Sequence, residues 1–171
     1  SSSTGRSPAP SDWMLARIQA QARAWRADHR LDRCGISFGG PVDFARQIVV
    51  QSTHVGGWSD FELTGWVRET FGIPAVMDND ANAGALGEAR HGAGRGCDPL
   101  FYVTLSTGIG GGIGADGGLL RGADSFAGEL GHMTVRPDGP ECLCGARGCL
   151  ERLSGGLWLE RDHGKPAKEL L

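Results

Sequence analysis

Three cysteines crowd into eight positions near the end of this 171-residue chain, Cys142-Leu143-Cys144-Gly145-Ala146-Arg147-Gly148-Cys149, and His132 stands ten positions before the first of them. Cys and His at that density are metal ligands by type. Zinc takes four N or S donors in a tetrahedron, and three Cys with one His is a standard closed set. Gly145 and Gly148 let the backbone fold sharply enough for three sulfurs to converge. Four protein donors leave no position for water, so the spacing predicts a structural zinc held by His132, Cys142, Cys144 and Cys149. The alternative, free thiols or one labile disulfide, leaves the spacing unexplained. Cys34 and Cys97 lie far away in sequence. Cys34 sits in an apolar run and reads as a small buried hydrophobe.

The rest of the chain alternates helical and strand-like patterns, which predicts an α/β sheet domain. Residues 1–10 are polar with two prolines and read as a loop or ragged end. Ser11 is the expected cap of an amphipathic helix over 12–29, with Met14, Leu15, Ile18, Ala22 and Trp25 on its buried stripe. Strands are expected at 34–38, 48–50, 75–77 and 100–105. Helices are expected around Leu63–Phe71, over 81–91, and from about Glu151 onward. Asp116-Gly117 between apolar runs predicts a tight hairpin turn. The segment 122–149 reads as loop-rich. No repeat and no linker divides the chain, so 1–171 is expected to be one domain containing the 132–149 metal segment.

Charge and hydropathy exclude several partners. A net charge of −3 offers no basic footprint for nucleic acid. No apolar stretch approaches the roughly 20 residues that span a bilayer, and no apolar signal segment opens the chain. A soluble, cytoplasmic protein with no membrane or nucleic-acid partner is the expectation.

Glycine is the unusual component: 29 of 171 residues, against an ordinary share of about 7%. Much of it falls in Gly108-Ile109-Gly110-Gly111-Gly112, directly after a strand and after Ser106-Thr107. Backbone N–H groups there can meet phosphate oxygens, and Thr107 can add a hydroxyl. No Gly-Lys-Ser/Thr follows, and the glycines lead into another strand, so neither a Walker loop nor a dinucleotide fingerprint is present. Tight β packing explains the run equally well. Asp78-Asn79-Asp80 closes a strand and opens a helix, where a carboxylate is either a general base toward a substrate hydroxyl or a helix cap. Glu129 and Glu151 flank the metal segment. They are natural partners of sugar hydroxyls, or simply solvated glutamates.

Together these stretches resemble the ROK family of sugar kinases, in its glucokinase-like form. The resemblance lies in Gly35-Ile-Ser-Phe-Gly-Gly-Pro-Val-Asp43, in Asp78-Asn-Asp-Ala-Asn82 through Gly87-Glu88, in Thr104 to Gly112, in Gly128-Glu-Leu-Gly-His132 and in Cys142 to Glu151. It runs from about residue 11 to the end. It implies an actin-like, ribonuclease-H-type fold shared with hexokinases, here incomplete, and ATP-dependent phosphorylation of a sugar hydroxyl. On this resemblance Asp80 is the general base. Gly40, Thr53, Asn79, Glu129, His132 and Glu151 hold the sugar. Thr107, Gly108 and Gly110 lie along the ATP phosphates, with Mg²⁺ bridging them. A homodimer is common among such proteins.

Some members are sugar-sensing repressors, so a non-catalytic regulator is the alternative, and a zinc-stabilised module without activity is a third. The family's Asp-x-Gly-Gly-Thr phosphate motif does not occur before residue 11, and the glycine-rich elements that complete the adenosine pocket do not follow. Weak or no turnover by this chain alone is therefore expected. Ser106 stands where glycine is usual. The segment Ser52-Thr53-His54-Val55-Gly56-Gly57-Trp58 looks closer to N-acetylmannosamine kinases than to many glucokinases.

Overall fold

The computed structural model describes residues 9–52 and 55–170. Mixed α and β elements group into two units, one up to Asp80 and one from Ala81.

In the first unit a long helix, α1 (Pro10–Asp28), precedes strand β1 (Cys34–Phe38). The helix begins at Pro10 rather than at residue 12, so Ala9 and not Ser11 stands at the cap position. Proline suits the first helical position because its missing N–H has no partner to lose there. Asp12, in the first turn, reaches back to accept the Ala9 N–H at 2.8 Å, leaving Ser11 buried rather than capping. Two short strands, β2 (Val42–Asp43) and β3 (Ile48–Val49), pair antiparallel. Helix α2 (Leu63–Phe71) ends on Gly72, a left-handed residue. Strand β4 (Ala75–Asn79) then runs parallel to β1, with Phe38 opposite Asn79.

One core cluster is built on Val42, Val49, Trp58, Leu63 and Met77, with Met14 and Leu15 of α1 packed against it. A second holds Ala22, Val67 and Phe71. The expected inward stripe of α1 is thus only partly inward: Ile18 and Trp25 are exposed. Cys34 is half-buried against the second cluster rather than fully enclosed. Gln47 acts as a substitute strand beside β4. Its side-chain oxygen accepts the Met77 N–H at 2.7 Å and its amide nitrogen donates to the Met77 carbonyl at 3.1 Å. Met77 itself is fully buried. Met77→Ala is expected to destabilise this unit by about 2–5 kcal/mol, through lost burial and a residual cavity. Urea denaturation followed by tryptophan fluorescence measures it.

The second unit contains most of helix α3 (Asp80–His91) and an antiparallel sheet of β5 (Leu100–Leu105), β6 (Ile109–Ala115) and β7 (Gly118–Leu120), in that order. The β6–β7 hairpin turns on Asp116 and Gly117, both at positive φ as expected. Glycine is abundant in β6 because the strand is approached from both faces. A Cβ on Gly112 would come 2.7 Å from Ala81 O and from Ala85 Cβ of α3, while one on Gly111 would overlap Leu130. A short 3-10 turn (Leu130–His132) precedes the cysteine segment. Two helices, α4 (Leu150–Ser154) and α5 (Gly156–His163), then follow with a break at Gly155. No helix among the described residues is long and apolar enough to cross a membrane.

Candidate functional site

The first group of expected site residues collects at the C-terminal ends of β1 and β4. Both strands run the same way, so Gly39 and Gly40, which follow β1, come beside Asn79, the last residue of β4, and Asp80, the first of the next helix. Asn79 Nδ2 donates to the Gly40 carbonyl at 3.1 Å. A Cβ on Gly39 would stand 3.7 Å from Asp80 Oδ2, so the carboxylate lies close against that turn. A Cβ on Gly40 would press to 3.0 Å from Gln51 O. Asp80 is the first residue of α3. Thr53, expected to join this group, lies outside the described residues, as does His54.

A second group forms in the other unit. Ser106 N–H donates to the Gly108 carbonyl at 2.9 Å, closing a tight turn between β5 and β6 on which Thr107 is exposed. Glu151 of α4 reaches this turn: its Oε2 accepts the Ile109 N–H at 2.8 Å. A Cβ on Gly108 would fall 2.5 Å from the same oxygen, so a side chain there would push the Glu151 carboxylate off the turn. The break between α4 and α5 is fastened to the turn as well, with Gly156 N–H on Ser106 O and Leu157 N–H on Thr107 O, each at 2.9 Å. Gly110 lies between its partner strand and α3: a Cβ there would meet Thr104 of β5 at 3.3 Å and Ala81 of α3 at 3.4 Å. Its role here is close packing. Thr107 and the bare backbone of Gly108 are the part of the run that suits a phosphate.

His132, Cys142, Cys144 and Cys149 bring their donor atoms within 4.8 Å of one another. Cys142 Sγ lies 3.8 Å from His132 Nδ1 and Cys144 Sγ lies 3.6 Å from Cys149 Sγ. A tetrahedron with metal–sulfur bonds of about 2.3 Å has edges of about 3.8 Å, close to these two separations, so the cluster is a candidate site for a tetrahedral divalent metal. Backbone bonds hold the loop: Cys142 N–H to Ala146 O at 2.8 Å, Gly148 N–H to Pro140 O at 2.9 Å and Leu150 N–H to Met133 O at 3.0 Å. The His132 N–H donates to Glu129 O at 3.1 Å, which fixes Glu129 within a turn of the cluster.

Without a metal the thiols share the burden of charge unequally. Burial pushes the Cys149 thiol up to about 12, and hydrogen bonds with Cys144 and Cys142 add to it. Burial works against the Cys144 thiolate too. Hydrogen bonds from the Ala146 backbone and from Cys149 and Cys142 outweigh it and bring that group below its ordinary value. A thiol with a raised value keeps its proton near neutral pH, and a metal must displace it. Metal uptake is therefore expected to release protons, and affinity to rise as pH increases from 6 to 8. Titration in buffers of different ionisation enthalpy measures the protons released.

Sequence reasoning missed two features of this site. The Glu151–Ile109 bond links residues 42 positions apart, and no local pattern announces it. Arg152 was also passed over, although its Nε donates to Glu141 O at 3.1 Å. An arginine beside a candidate ligand-holding glutamate was the only available signal.

The family model described as "ROK family" matches residues 7–170. The chain is 41% identical over 133 residues to a glucokinase of Halalkalibacterium halodurans, covering 76% of this chain and 40% of that protein. It is 43% identical over 117 residues to the xylose repressor of Bacillus subtilis, covering 68% of this chain and 30% of that protein. Among solved structures, a ROK family glucokinase from Streptomyces griseus in complex with glucose and AMPPNP superposes with a TM-score of 0.77 at 38% identity. The match covers 90% of this chain and 49% of that one. The chain thus spans less than half the length of each of these relatives.

Proposed function

The chain belongs to the ROK family, and from that premise we propose that it carries the sugar-holding and phosphate-facing residues of an ATP-dependent kinase acting on a hexose hydroxyl. The observation that supports this best is the end of β4, where Asn79 is fixed on the Gly40 carbonyl and Asp80 follows at the start of α3. In this reading Asp80 accepts the proton of the attacking hydroxyl. Asn79, Gly40, Thr53, Glu129, His132 and Glu151 orient the ring. Glu151 uses Oε2 on the Ile109 N–H, which leaves Oε1 for a sugar hydroxyl. Thr107 and Gly108 belong to the phosphate-facing turn, while Gly110, expected there on the resemblance, packs behind it in β6. ATP supplies the γ-phosphoryl group when bound, and Mg²⁺ offsets its charge. The protein's contribution is mostly positioning and charge stabilisation.

The metal in this reading is Zn²⁺, and it does no chemistry. It holds a loop whose flanks carry Glu129, His132 and Glu151. His132 offers Nδ1 to the metal and Nε2 to the sugar. A sugar-responsive regulator is the second reading, favoured by the 43% identity to a xylose repressor. A coupled ADP-release assay with a panel of hexoses on a polypeptide containing this chain separates them. Sugar-dependent ADP release is expected for a kinase. Sugar binding without ADP release, together with operator binding at physiological salt, favours the regulator.

A further inference from the structure

Helix α4 carries two neighbouring side chains that hold two different loops. Glu151 accepts the Ile109 N–H of the glycine turn at 2.8 Å. Arg152, the next residue, is turned toward the cysteine loop and only 12% exposed. Its Nε donates to the carbonyl of Glu141, the residue immediately before Cys142, at 3.1 Å. Its two terminal nitrogens donate to the two carboxylate oxygens of Asp162 on α5, at 2.7 and 3.3 Å. The guanidinium also lies over the Trp158 ring, 4.2 Å from its centroid. These bonds hold the Asp162 carboxyl below its ordinary value.

We infer that Arg152 is a positioning residue for the metal site: it closes the cysteine loop by pinning the entry side of that loop, at Glu141, to the helix that leaves it. The exit side is already tied, because Cys149 directly precedes Leu150, the first residue of α4. Cys142 and Cys149 therefore keep their separation before any metal arrives, and the metal has less chain to order on binding. Outward, an Arg147–Glu141 ion pair at 3.1 Å stiffens the same loop, but both of its side chains are largely exposed and it contributes little. The guanidinium is suited to this task by shape. It meets a carbonyl on one edge, a carboxylate on another and an indole on its face, which an ammonium cannot do together. Glu151 is carried on the same short helix, so the clamp also fixes the root of the side chain on the glycine turn.

The inference rests on the metal reading of the cysteine cluster, and cobalt(II) tests the two separately. Cobalt is titrated into the 171-residue chain and into its R152K, R152A and D162N variants, following thiolate-to-cobalt charge transfer and the visible bands of tetrahedral cobalt. R152K and R152A are expected to lower cobalt affinity roughly 10–100-fold, while the saturated spectrum keeps its tetrahedral form because all four donors remain. D162N, which leaves the Glu141 bond in place, is expected to show a smaller loss. Far-UV circular dichroism of R152K is expected to match the wild type. Wild-type cobalt affinity in R152K would overturn the positioning role and leave the metal reading standing. Absence of tetrahedral cobalt bands in the wild type would overturn both.

Discussion

Cys144→Ala is expected to abolish tight metal binding and to weaken sugar binding with it. Only four donors converge here among the described residues. Removing one leaves an incomplete tetrahedron with an open position, which suits water rather than a closed structural site. Cys144 is exposed, unlike Cys142 and Cys149, so alanine creates little cavity and the effect reports on coordination rather than on packing. The link to sugar is the loop itself. His132 is both a donor and a proposed sugar contact, Glu129 accepts the His132 N–H, and Glu151 lies two residues beyond Cys149. A loop without its metal regains the conformational freedom of roughly a dozen residues, and those three side chains lose their common frame. Sugar affinity is expected to fall roughly 10–100-fold, in line with losses at other metal-supported shells. Metal content by elemental analysis and sugar affinity by calorimetry give both readouts. Loss of metal with unchanged sugar affinity would separate the two functions.

Asp80→Asn is expected to lower sugar phosphorylation by roughly 10²–10⁴-fold in any active polypeptide containing this chain, with little change in sugar affinity. Asparagine has the shape of aspartate and can still sit at the first turn of α3, so the local fold survives. It cannot accept the proton of the attacking hydroxyl. Helix stability is expected to drop only slightly, since a first-turn carboxylate contributes about 0.3–1 kcal/mol through the dipole. The KM-against-kcat split separates base chemistry from binding: kcat falls and the sugar KM holds. Equal kcat values for the two proteins would remove Asp80 from the chemistry.

Much of the fold was legible because its longer elements obey simple periodicities. The 34–38 and 100–105 strands and the Asp116-Gly117 hairpin appear where the pattern predicts them. The misses have physical causes. Ser11 has the chemistry of a cap, but Pro10 takes the first helical position and sets the helix start two residues earlier than residue 12. Ile18 and Trp25 repeat at helical spacing, yet α1 buries only Ala22 along that stretch. β2 has two residues, too few for any period. Gln47 reads as a polar loop residue, and nothing local tells that its amide stands in for a strand. At the candidate site the convergence of His132, Cys142, Cys144 and Cys149 was legible because residue type and spacing are local properties. Both loop-to-loop bonds of α4 were not, because they join residues distant in sequence. The glycine run carried two meanings at once. Gly111 and Gly112 serve packing on the two faces of β6, while Gly108 serves the turn held by Glu151.

Calorimetric titration of glucose and of N-acetylmannosamine into the zinc-loaded 171-residue chain, repeated after chelation, measures whether the metal loop supports sugar binding. Measurable binding of at least one of the two sugars to the loaded chain is expected, and its loss or marked weakening once the metal is removed. No binding of either sugar, with zinc stoichiometrically present and the chain folded, would contradict it.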